Sequence, residues 1–157
     1  MVFGALLCHT NQNIHYYDGD LRYDRLKLVQ RIKVCGMVMH LVCKQFNNGE
    51  QAYTPKQIHD LTEIPQQIVN QAVRELLHAK LLVEIRSEKK GCFEESVVLH
   101  PIEKIDHLTY GVMIERLFNY GEEISGFSEI EKELKLWKNI DIVNQKFVDN
   151  GKQILFI

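Results

Sequence analysis

Between Gln66 and Arg74 the chain carries four amides and one guanidinium, Gln66, Gln67, Asn70, Gln71 and Arg74, spaced as a helix spaces residues along its outward side. Such side chains can read duplex DNA, since Asn and Gln pair with adenine edges and Arg with guanine. The same amides also simply solvate a surface, and Glu75 directly after Arg74 leaves the segment nearly neutral, whereas DNA binding draws on several phosphate contacts. Lys89 and Lys90, with Arg86 nearby, can reach phosphates or acidic headgroups, but Glu88, Glu94 and Glu95 surround them and weaken that field. A third group, Arg22, Arg25, Lys27, Arg31 and Lys33, puts five positive charges within twelve residues against Asp24 alone. Behind a membrane segment, this cluster would follow the positive-inside tendency and lie close to anionic lipid.

Catalytic chemistry finds no comparable grouping. His40-x-x-Cys43 offers two ligands one helical turn apart, where zinc wants three or four, so no metal is expected and the seven histidines read as buried or surface residues. No grouped Asp, Glu and His set suits a two-metal nuclease, and there is no nucleophile elbow, P-loop or dinucleotide fingerprint. No cofactor and no catalytic residue are expected. Glu122-Glu123 and Glu131-x-Glu133 read as acidic residues near helix starts, where they favour the positive dipole end.

The elements that must position these residues are bounded by bulk properties. A chain of 157 residues with 45% hydrophobic composition can bury one sizeable core with a helical appendage. Its formal net charge of −2 supplies no global positive field, so any polyanion must be held by a local patch. Of the four cysteines, Cys8, Cys35, Cys43 and Cys92, none forms a C-x-x-C pair; Cys35 and Cys43 stand in an apolar run, as small buried hydrophobes in a reducing compartment. A bond between them is excluded on one helix, where eight residues span roughly 12 Å. Val34 to Cys43 is too short to cross a bilayer, and the apolar start Met1 to Cys8 lacks the basic residues and cleavage site of a signal peptide.

Along the chain, Asn11 to Asp20 reads as a linker, and Leu21 to Phe46 as a central helix ended by Asn47-Asn48-Gly49. Thr54-Pro55-Lys56-Gln57 is a capping box opening a short helix to Leu61, and Pro65 opens a third helix with Ile68, Val69, Ala72, Val73, Leu76 and Leu77 inward. Leu81 to Arg86 and Ser96 to Leu99 read as two strands about a polar tip, closed by Pro101. A helix follows from Thr109 to Tyr120. Ser128-x-x-Glu131 opens another carrying Phe127, Ile130, Leu134 and Trp137, with a last segment at Ile140 to Phe147. The expected fold is mainly α with a small β-hairpin: a winged helix-turn-helix over 21–120, preceded by a segment at 1–20 and followed by a C-terminal helical appendage at 121–157.

The order of elements, Tyr53-Thr54-Pro55-Lys56-Gln57-Ile58, the Ile64-Pro65 turn, Val73-Arg74-Glu75-Leu76-Leu77 and Pro101-Ile102-Glu103-Lys104-Ile105 resemble the C-terminal cytoplasmic region of YihY/BrkB-like membrane proteins, historically labelled ribonuclease BN. Phe3-Gly4-Ala5 followed by Asn11-Gln12-Asn13 looks like the end of that family's last transmembrane helix, although Leu6 stands where related sequences carry an acidic residue. The resemblance runs from Phe3 to Trp137. It implies a winged helix tethered beneath the inner membrane through a transmembrane region missing here, on its cytoplasmic face; without that tether the chain would be cytoplasmic.

The sequence therefore favours a non-catalytic interaction domain working through a protein partner or self-association, the apolar Ile154 to Ile157 tail being one means of it. The competing reading is a DNA-binding regulator that uses Gln66 to Arg74 and the Lys89-Lys90 wing. An RNA-processing nuclease is a distant third.

Overall fold

A five-residue set at helical spacing, Cys35, Val38, Met39, Val42 and Cys43, forms the buried stripe of helix α1 (Leu28–Asn47), the axis on which the rest is built. The computed structural model describes residues 22–88, 95–123 and 135–157. The helix does not reach back to Leu21: Tyr23–Arg25 form one 3₁₀ turn, and Leu26 and Lys27 are extended. That break lets Tyr23 turn inward, where it is 7% exposed. At the other end Gly49 takes φ 66, the left-handed stop expected of it.

Helix α2 (Pro55–Thr62) opens on the complete capping box: Thr54 Oγ1 accepts from the Gln57 amide at 3.2 Å, and Gln57 Oε1 accepts from the Thr54 amide at 2.9 Å. A short turn then leads to α3 (Gln66–His78), which buries Ile68, Val69, Ala72, Val73 and Leu76. The turn is tightly pinned. Glu63 is held at φ 57, Thr62 Oγ1 donates to Ile58 O at 2.7 Å, and His59 Nδ1 bonds Ile64 O at 2.6 Å.

Strands β1 (Leu82–Glu88) and β2 (Glu95–Pro101) pair antiparallel in the register Leu82 to Pro101 through Glu88 to Glu95, each longer than the sequence reading allowed. The tip, with Lys89 and Lys90, lies outside the described residues. Leu82 and Leu99 face the core, Val98 is buried on the opposite face of the hairpin, and the Leu99 amide donates to Tyr53 O at 2.9 Å, anchoring the hairpin to the segment before α2.

Helix α4 (Tyr110–Phe118), capped by Thr109, closes the core with Met113 and Ile114. Helix α5 (Lys135–Gly151) absorbs the expected Ile140 to Phe147 segment; Phe127, Ile130, Leu134 and the Ser128 capping box lie outside the described residues. α4 and α5 meet backbone to backbone at Gly111 and Gly151: a Cβ on Gly111 would come within 2.6 Å of the Lys152 nitrogen. The following residues return to the core. The Tyr110 amide donates to Ile154 O at 2.8 Å, Thr109 and Leu155 form a β-bridge, and Phe156 is buried with its carbonyl bonded to His40 Nδ1 at 2.8 Å. Two helices, a pinned turn and a third crossing helix followed by a hairpin define a winged helix-turn-helix.

Candidate nucleic-acid interface

Because α3 buries a single stripe, its opposite side is fixed by helical geometry. Gln67, Asn70 and Arg74 are exposed there, with Gln66 and Gln71 partly exposed at the margins. Gln66 Nε2 donates to Asn70 Oδ1 at 2.7 Å, one turn along, so these two amides are held together. Pro65, at the N-cap, contributes no side-chain cap, and the first turn of α3 carries no acidic residue.

The sequence reading set Glu75 against Arg74, and the structure corrects this. Glu75 lies on the flank of α3, away from the outward line. Its Oε1 accepts from Arg31 Nη2 at 2.8 Å and its Oε2 from the Tyr23 hydroxyl at 2.6 Å, while the Arg31 guanidinium lies 4.9 Å from the Tyr23 ring centre. Glu75 is thus paired with Arg31 of α1, and Arg74 stands on the exposed side of α3. Burial, aided by bonds to Cys35 and Glu75, holds the Tyr23 hydroxyl protonated well beyond its usual range, so it serves as a donor. The bond to Glu75 raises Arg31 further.

The N-terminal basic cluster divides. Arg31 is committed to Glu75, and Arg22 pairs with Asp24 at 3.1 Å in solvent, a contact of little energetic weight. Arg25, Lys27 and Lys33 are exposed. What the sequence could not reveal is where Arg22 stands: with its partner Asp24 it shares a cleft of about 450 Å³ with Gln67 and Gln71 of α3, lined also by Tyr23, Arg31 and Glu75. Two groups that the sequence assigned to separate tasks, amides for bases and cations for lipid, border one surface. Arg86 lies on β1 opposite Val97 and is exposed.

The remaining polar candidates have structural employment. His40 serves the Phe156 carbonyl and His59 the α2–α3 turn, while Cys43 is fully buried, so the His40-x-x-Cys43 pair does not assemble. Cys35 and Cys43 are free, buried thiols, each pushed up to about 11 by burial and therefore unreactive at neutral pH. Among the described residues no three His, Cys, Asp or Glu side chains are placed to hold a metal, and no helix is long and apolar enough to cross a membrane.

The architecture recurs in solved transcription regulators. CymR of Bacillus subtilis, a global cysteine regulator, superposes with a TM-score of 0.51 at 20% identity over 79% of this chain and 90% of that one. A Listeria innocua protein described as a putative transcriptional regulator gives 0.53 at 14% identity over 83% of each chain, and Staphylococcus aureus CymR 0.51 at 18% over 81% and 92%. No protein-family model and no curated protein matches the chain.

Proposed function

We propose that this protein is a non-enzymatic DNA-binding regulator, in which α3 enters the major groove and α5 joins two copies. The observation that carries the reading is the cleft where Arg22 borders Gln67 and Gln71, on a helix whose one acidic residue, Glu75, is paired with Arg31 while Arg74 stands exposed. Amides and Arg74 then supply base contacts, while Arg22, Arg25 and the wing residues Arg86, Lys89 and Lys90 supply phosphate contacts. With a net charge of −2, one copy gathers few such contacts, so affinity depends on pairing two half-sites. Helix α5 suits that pairing: Leu136, Ile140, Val143 and Phe147 repeat at alternating spacings of four and three and are 37–65% exposed.

This reverses the preference drawn from the sequence, which set DNA second because α3 is nearly neutral, acidic residues surround the wing lysines and the YihY/BrkB resemblance implied an interaction domain. The interaction module below a membrane implied by the YihY/BrkB resemblance is the second reading; it draws on the same bare face of α5 and leaves α3 without a ligand.

Fluorescence anisotropy with duplexes selected from a random pool, at two salt concentrations, tests the choice. Binding that weakens steeply with salt and is lost in Arg74→Ala is expected. No selectable duplex at low salt would overturn the DNA reading and leave the interaction module.

A further inference from the structure

On the other side of the Arg31 and Glu75 pair from the α3 cleft lies a second cavity, of about 290 Å³, between the start of α1 and the end of α4. Its walls are mainly apolar, from Leu28, Ile32, Leu117 and Phe118, and the Arg31–Glu75 pair, with Cys35 and Tyr120, forms its polar part. The size is at the lower end of small-ligand sites, and the composition, an apolar chamber with a few convergent polar groups, is the usual one for such a site. Two features say what would fill it. Arg31 Nε is a buried donor with no acceptor among the described residues, an arrangement that costs stability until something accepts from it. Leu28 is 62% and Phe118 45% exposed, the latter with its ring stacked on Phe147 of α5, so the rim is a partly open apolar edge that can receive a hydrocarbon body.

We infer that this cavity binds a small amphipathic carboxylate, its anionic end on Arg31 and its apolar body against Leu28, Ile32, Leu117 and Phe118. A carboxylate suits the guanidinium better than a neutral acceptor because a charge-assisted bond is roughly twice as strong as a neutral one. The incoming anion shares Arg31 with Glu75, so occupancy weakens the hold of α1 on the flank of α3. The site thus sits where a metabolite could set the angle of the recognition helix. That consequence rests on the DNA-binding reading, whereas the binding site itself does not.

Thermal-shift and calorimetric titration of the full chain with octanoate, hexanoate and 3-phenylpropanoate, each beside its neutral amide, reads binding without DNA. Saturable binding of at least one acid, at least tenfold tighter than its amide, is expected. It should be lost in Arg31→Gln and in Leu28→Trp, which blocks the rim at an exposed position and keeps the core intact if Arg31→Gln fails to fold. Equal affinity for acids and amides, or no binding by any of them, would overturn the inference. So would Leu28→Trp splitting a dimer into monomers, because the rim would then be occupied by a second copy. Loss of duplex binding with acid binding intact would sink only the DNA-binding reading.

Discussion

Helices α3 and α5 are both amphipathic, yet they use their apolar sides differently. α3 buries five apolar residues against α1, α2 and the hairpin and turns amides outward, whereas α5 touches its own fold through Val148, the Gly151 crossing and the stacking of Phe147 on Phe118, and leaves Leu136, Ile140 and Val143 exposed. An amphipathic helix is stabilised mainly by covering its apolar stripe. The difference therefore separates a helix whose exposed side is polar from one whose exposed side is largely apolar.

The comparison can be broken at several points. The largest effect is expected from Val143→Asp, which should convert a self-associated species to monomer in sedimentation velocity while leaving the circular dichroism of the fold unchanged; a wild-type protein that is already monomeric at high micromolar concentration would remove the contrast. Leu76→Ala, inside α3, should lower stability by about 3 kcal/mol in urea, against less than about 0.5 kcal/mol for Val143→Ala measured under monomeric conditions. Arg74→Ala should weaken duplex binding by about 2 kcal/mol, read by anisotropy, with relaxed sequence preference. Thr54→Ala, which removes the α2 cap, should cost about 1 kcal/mol in the same urea titration.

A pH series sharpens the same contrast from the core side. Cys35 and Cys43 hold their protons more tightly folded than unfolded, from the usual 9.0 up to about 11, because burial penalises the thiolate. Their contribution is therefore whole below pH 9 and is lost as pH rises towards 11. Replacing both by Ala should flatten the alkaline limb of the stability profile; an unchanged limb would show that the thiols are not protected.

Much of this fold was legible because its signals are local. Thr54 with Gln57, Pro65, the stripe from Ile68 to Leu76 and the β-branched run near Val83 each specify their own element within a few residues, and the order of elements then allows few topologies. The start of α1 was misplaced because the reason for its break is distant: Tyr23 leaves the helix to meet Glu75, fifty-two positions away in the chain. The candidate interface was half legible for the same reason. Periodicity placed Gln67, Gln71 and Arg74 on one side, but no spacing rule shows that Arg31 removes the charge of Glu75 or that Arg22 borders the amides. The only hint was that Glu75 falls at the seam between the buried and exposed stripes.

Glu63 gives the assembly one more property. A residue with a Cβ kept in the left-handed region sits about 1–2 kcal/mol above its preferred backbone, and here it is clamped by Thr62 and His59 on either side. The joint between α2 and α3 is accordingly held in one backbone conformation, so α2 and α3 move as one unit, and on the DNA-binding reading any change at the α1 flank would reach a duplex as a tilt of the pair and not as a bend between them.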